Sequence, residues 1–265
     1  MNQILQLYKD NAQRAKQPVN MVRNSAEASL YIYDVIDPYW GVSAQNVIDA
    51  IGRAGDAEVL HVYINSPGGS VFEGRAIMAA IARFPGKTIA HIDSLCASAA
   101  TGIALACNEV EMSEGAFFMI HNASAMAWGD KAALRETADL LEKIEGSIVG
   151  DYTAKTGKDA EQIVTWMDAE TWFSAAESLE HGFIDRVSAA PAAKAANAWN
   201  LSAYAKAPAA LAAPSPAVEA DLVEPVNVVT SPESIVDHTA VPEPTPTPPS
   251  MTQANRNRLT LATAL

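Results

Sequence analysis

The spacing of apolar positions changes several times along the chain, and each change predicts an element. Ser29–Ile36 (SLYIYDVI) is β-branched and aromatic and reads as a strand. Val47, Ile48 and Ile51 then fall at helical spacing within Val42–Gly52. Glu58–Ile64 (EVLHVYI) is a near-continuous apolar strand. It runs into the turn Asn65-Ser66-Pro67-Gly68-Gly69-Ser70. Ser70 and Glu73 have capping-box spacing, and the helix they open carries Ile77, Ile81 and Phe84 on one face before Pro85-Gly86 stops it. Lys87–Ile92 is the next strand, Ser98–Cys107 a small-residue helix, and Glu109–Met112 and Ala116–Ile120 are short strands.

A long helix follows, from about Asp130 to Lys155, with Leu134, Leu141, Ile144, Ile148 and Tyr152 as its apolar stripe. At ~1.5 Å per residue it spans ~40 Å, more than a compact domain of this size needs, so it either projects toward a partner or lies across the sheet. Gly157 ends it, and Asp159 with Gln162 caps the next helix. Ser174 and Glu177 repeat the box spacing before a helix that stops at His181-Gly182. Phe183–Val187 closes the domain as a strand. Strands alternating with helices predict an α/β fold with mostly parallel pairing.

Composition divides the chain further. All 14 glycines lie before residue 188, whereas residues 188–265 hold 11 of the 15 prolines and 20 alanines. An Ala/Pro stretch ending in VPEPTPTPPS favours extended backbone that buries no core. The expected organisation is an N-terminal segment 1–27, a domain 28–188 and a largely disordered tail 189–265. The net charge of −13 argues against nucleic acid and against anionic membranes as partners. The first sixteen residues mix charge into their apolar positions, unlike a signal peptide, and no apolar run approaches membrane-spanning length. Two cysteines make no disulfide framework.

Candidate chemistry is sparse. His61 and His91 sit inside apolar strands and read as core or interface residues, His181 lies in the last turn of a helix, and His238 is in the tail. His121 stands apart, at the C-terminal end of a buried strand, where α/β folds gather functional groups. Ser98 opens an apolar helix. Such a serine is either an N-cap or a nucleophile whose developing oxyanion faces the helix N-terminus. Gly68-Gly69 is neither a Walker loop nor a dinucleotide fingerprint, and a diglycine also presents N–H groups to a substrate carbonyl. Cys96 and Cys107 read as buried thiols, with a Cys96–His121 pair as a minor alternative. No metal-ligand spacing is present, and no cofactor is implied.

Four segments together carry a resemblance: Ile64 to Val71 (INSPGGSV), Ala97-Ser98-Ala99, Met119-Ile120-His121 and Trp172 to Glu177 (WFSAAE). In this order and near this spacing they resemble the ClpP family of serine peptidases, most of all the phage and prophage head-maturation (prohead) protease branch. The likeness covers about residues 28–188. It implies an α/β fold of the ClpP/crotonase type, a spiral of βαβ units with a projecting handle helix at Asp130–Lys155, assembled into homo-oligomeric rings. It implies Ser98 as nucleophile, His121 as general base, and the N–H groups of Gly68 and Ala99 as an oxyanion hole. Asp168, in the segment MDAETWF, is the expected third member, with Glu170 the alternative. The implied substrates are scaffold and capsid proteins, and the implied location is the host cytoplasm or prohead interior. A housekeeping Clp proteolytic subunit, an acyl-CoA enzyme of the crotonase class and a non-catalytic head-assembly protein are the alternatives.

Overall fold

The structure is a computed structural model, and it describes residues 3–11, 14, 18–189, 199–208 and 211. The expectation of extended, disordered chain at the proline-rich end falls outside these residues.

Among the described residues eight strands form one mixed sheet. β2 (Glu27–Ile32), β3 (Val59–Ser66), β4 (Lys87–Ala97), β5 (Glu109–Ser113) and β8 (Arg186–Ser188) lie side by side and parallel. β1 (Asn20–Asn24) pairs antiparallel with β2 at the edge. Away from this path, β6 (Phe117–Ile120) runs parallel to the end of β4, and β7 (Thr171–Ser174) runs antiparallel to β6. Helices α2 (Ala44–Ala54), α3 (Val71–Ala82), α4 (Ala99–Leu105), α5 (Lys131–Thr156), α6 (Ala160–Asp168) and α7 (Ala175–His181) connect the strands; α1 (Gln3–Asn11) precedes them.

Strand alternation builds the core. Leu30 pairs with Val62, Ile32 with Ile64, Val62 with Ala90, Ile64 with Ile92, and Ile92 with Met112, all fully buried. The opposite side chains, Tyr31, His61, Tyr63, His91 and Glu111, are only half-buried. There Tyr31 stacks on Tyr63, and His61 Nδ1 lies 2.9 Å from His91 Nε2. His61 and His91 thus hold one another on a sheet face.

The helix boundaries follow side-chain chemistry. Ser43, Ser70, Asp130, Asp159 and Ser174 each accept a backbone N–H of the first turn. Ser174 and Glu177 complete their capping box. Glu73 does not complete the one begun by Ser70: its carboxylate accepts the Ala44 N–H at 2.6 Å instead and ties α3 to the start of α2. α5 is 26 residues long, and among its residues only Tyr152 is buried. Its first half contributes half-buried or exposed residues alone.

Two pieces of the body lie outside the boundaries expected from sequence. β1 belongs to the sheet although four of its five residues are exposed, because its backbone pairs with β2 and Met21 packs against the core. Residues 199–208 fold back onto the domain. Trp199, Leu201 and Tyr204 are buried in a second apolar cluster with Leu7, Val35, Leu95, Ala97 and Met119. These three apolar anchors interrupt the Ala/Pro composition that makes the tail look uniform.

Candidate active site

The site lies where β4 changes partner. Residues Ile89–Ile92 of β4 pair with β5, whereas Leu95–Ala97 pair with Phe117–Met119 of β6. Sequence alone ends this strand at Ile92, because Asp93 and Ser94 break its apolar run. In the structure the strand continues to Ala97, and the pairing with β3 shifts register near Ile64/Ser66 to accommodate the bend.

Ser98 follows directly, between β4 and α4, with φ 54° and ψ −125°. Positive φ is rare for a residue with a Cβ and is retained where the surroundings enforce it. The Ser98 side chain makes no capping hydrogen bond to α4. Its Oγ lies 2.8 Å from Nε2 of His121, which stands immediately after β6. The Ser98 N–H donates to the Met119 carbonyl at 2.9 Å, fixing the turn against β6. Two residues 23 apart in sequence are thereby joined through the β4–β6 pairing.

Gly68 and Ala99 converge beside them. Gly68 has φ +89°, and a Cβ built on it would stand 2.5 Å from the Ala97 carbonyl oxygen and 2.7 Å from Ser98 Cβ. No other residue type fits there without displacing Ser98. The same hypothetical Cβ would lie 3.1 Å from the Ala99 nitrogen, so Gly68 and the start of α4 are in close approach. The Gly68 N–H here donates to Ser66 Oγ at 3.2 Å, a long bond for that pair.

Burial pushes the His121 imidazole down to about 4, with the negative charge of Glu170 acting in the opposite direction. The ring is therefore neutral at pH 7 and able to accept a proton. Glu170 occupies the turn between α6 and β7 at φ 48°. Its carboxylate accepts the N–H groups of Ala205 (3.0 Å) and Lys206 (2.7 Å) and the Trp172 indole N–H (3.2 Å). Asp168, at the end of α6, instead accepts Nδ2 of Asn122 at 2.7 Å. Among the described residues no carboxylate is hydrogen-bonded to His121. Asp168 reaches it through its neighbour, and Glu170 through its charge.

A cavity of ≈ 50 Å³ opens beside Ser98 and His121, walled by Val71, Met78, Ala99 and Ile148. Arg75 and Asp151 close one side as an ion pair, with Arg75 also bound to Ser147 Oγ at 3.0 Å. Cys96 is fully buried and its thiol is pushed well up, which removes the thiolate a Cys96–His121 pair would need. Cys107 is likewise buried and pushed up to about 12. His181 packs against Trp166 at 4.8 Å between ring centres, away from this chemistry. Among the described residues no cluster of His, Cys, Asp and Glu has metal-site geometry, and no helix is long and apolar enough to cross a membrane.

The Clp protease family pattern matches residues 42–191, and the chain belongs to that family. It is 31% identical over 136 residues to the ATP-dependent Clp protease proteolytic subunit 3 of Rhodococcus jostii, covering 48% of this chain and 63% of that protein. To the proteolytic subunit 2 of Thermobifida fusca it is 35% identical over 130 residues, with 48% and 63% covered. The chain thus spans somewhat less than two thirds of these relatives' length. Among solved structures, a point mutant of ClpP1 from Listeria monocytogenes shares the fold, with TM-score 0.55 at 21% identity, covering 61% of this chain and 91% of that one. The fold is the ClpP-like α/β type expected from the sequence.

Proposed function

We propose that this protein is a serine endopeptidase working by acyl transfer. The observation that carries the reading is the Ser98 hydroxyl, held 2.8 Å from a neutral His121 by a residue in strained backbone geometry that gives up helix capping to point there. In the reaction His121 Nε2 takes the Ser98 proton as Oγ attacks a peptide carbonyl. The Ala99 and Gly68 N–H groups stabilise the resulting oxyanion. Gly68 exchanges its weak bond to Ser66 for this stronger, charge-assisted one. The imidazolium returns the proton to the departing amine, and water then hydrolyses the acyl-enzyme through the same base. Of the two carboxylates considered, Glu170 is assigned to steadying the imidazolium, since its charge already acts on the ring. Asp168 holds Asn122, the residue following His121. Loss of one oxyanion donor is worth roughly 3 kcal/mol of barrier.

The finer reading is a head-maturation protease cleaving scaffold and capsid proteins inside a prohead, within the host cytoplasm. Its support is the set of segments INSPGG, MIHN and MDAETWF, together with the proline-rich chain beyond the domain. Assembly into rings is supported by α5, whose first half buries no residue and leaves Leu134 and Leu140 exposed. The names of the relatives favour a second reading, a proteolytic subunit served by an ATPase. One experiment separates them: co-expression of wild type or Ser98→Ala with head proteins, and separately with a Clp ATPase and an unfolded substrate, each read by intact mass. Head-protein cleavage lost in Ser98→Ala supports the first reading. Cleavage only with the ATPase supports the second, and processing that survives Ser98→Ala overturns both.

A further inference from the structure

The segment 199–208 does more than cover apolar surface. Trp199 Nε1 donates to Asn65 Oδ1 at 3.2 Å, and the Tyr204 hydroxyl donates to the Pro67 carbonyl. Asn65 lies at the end of β3 and Pro67 immediately precedes Gly68. The Tyr204 ring stands edge-on to His121, 5.5 Å between centres at 90°, and shares with Ser98 the lining of one narrow space. The next two residues donate their N–H groups to Glu170, and Lys206 Nζ reaches the Ala169 carbonyl. One short stretch of chain therefore reaches the Pro67–Gly68 turn, the space beside Ser98, the His121 ring and Glu170.

The segment has firm anchorage. Asn11 and Asn200 exchange two hydrogen bonds, at 2.9 and 3.0 Å, which pins its start to α1. Beneath it lie Leu95, Ala97 and Met119, each at most 1% exposed, on the two strands that carry Ser98 and His121. Removing the segment would bare that apolar floor to water, so it behaves as a wall of the site. Between Tyr204 and Leu7 on one side and Val71 on the other, a narrow space of ≈ 20 Å³ remains next to Ser98, about the size of one water.

We propose that Tyr204 is a positioning residue of the active site: its hydroxyl fixes the Pro67–Gly68 turn that supplies an oxyanion donor, and its ring holds His121 against Ser98. This rests on the serine-protease reading above. A backbone donor serves an oxyanion only if its direction is fixed before the reaction, and the Pro67 carbonyl belongs to the peptide unit whose nitrogen is Gly68 N. Holding that oxygen orients that N–H. The ring in turn excludes water from one side of the imidazole. The charged groups around His121 are Glu170 from the α6–β7 turn, Asp168 through Asn122, and Glu145 of α5 through the Ala123 N–H; the Arg75–Asp151 pair lies across the cavity.

The test uses the full-length protein, a fluorophosphonate that labels activated serines, and a peptide substrate. Tyr204→Phe keeps the ring and removes the bond to Pro67. It is expected to slow labelling and kcat at least ten-fold while KM stays within two-fold. Tyr204→Ala removes both contacts. It is expected to be slower still, and to move the acid limb of the labelling–pH profile upward as water reaches His121. A residue that serves packing alone would lower Tm without moving the kcat–KM split or the pH profile, and that result overturns the proposal. So do unchanged rates in Tyr204→Phe, or a gain in rate in either variant, which would make the segment a plug. Failure of the wild type to label at Ser98 more than Ser98→Ala overturns the protease reading itself, and this inference with it. Labelled wild type with equally labelled Tyr204 variants overturns the inference alone.

Discussion

Ser98 allows the site geometry to be tested without measuring catalysis. Ser98→Gly and Ser98→Ala both delete the hydroxyl and lose the 2.8 Å contact with His121. They differ only in the Cβ. At φ 54° and ψ −125° an L-residue is strained, at a cost of about 1–3 kcal/mol. Glycine escapes that cost but loses about 0.5–1 kcal/mol more backbone freedom on folding. At mid-range the balance leaves the glycine variant more stable than the alanine variant by about 1 kcal/mol. For a domain of this size that is roughly 2–4 °C in Tm. Urea and thermal unfolding of the two purified variants read the difference directly, and neither should label with a fluorophosphonate. At an ordinary helix N-cap, with its usual extended backbone, alanine and glycine lie closer together and no strain is relieved. An alanine variant as stable as the glycine variant, or more so, would refute the strained geometry and with it the argument that the fold forces Ser98 toward His121.

The remaining expectations concern charge. Because burial lowers His121 to about 4 from its ordinary 6.5, the unfolded chain takes up a proton between those values before the native protein does. This contribution to stability is complete above about pH 6.5. It is lost as pH falls toward 4, up to about 3 kcal/mol. Urea midpoints across that range should fall more steeply for wild type than for His121→Asn, and parallel curves would contradict the burial argument. Glu170→Gln removes the charge that favours protonated His121, so the acid limb of labelling should move down and the rate should drop roughly ten-fold, about 1.4 kcal/mol. Asp168→Asn, which can still bond Asn122, should change the rate less than two-fold. The reverse ranking would return Asp168 to the triad.

Much of this arrangement is legible in the sequence because it is local. The strand EVLHVYI, the capping residues at Ser70, Asp159 and Ser174, and the position of His121 at a strand end all follow from spacing and side-chain chemistry. Other features depend on tertiary pairing. β4 runs past Asp93 and Ser94 because β6 receives its far end, and no periodicity in the strand itself announces that. The choice between cap and nucleophile at Ser98 turns on a backbone angle, which sequence does not display. The carboxylate nearest in effect to His121 is obscured because Asp168 and Glu170 lie two apart in one acidic segment, and only folding separates their partners. Tyr204 escapes notice for a compositional reason. Trp199, Leu201 and Tyr204 sit at short intervals within an alanine-rich stretch, and such a trio is the available signal that the stretch packs.

The match to the Clp protease family pattern ends at residue 191, before the aromatic wall of the site begins at Trp199. A genetic crossover between those points would leave every shared motif intact and yet give the body a foreign wall. The recognisable domain and the wall of its pocket are therefore separate stretches of sequence. A chimera that retains Ser98 and His121 has to be judged by whether its new downstream sequence fits Asn65, Pro67 and Glu170.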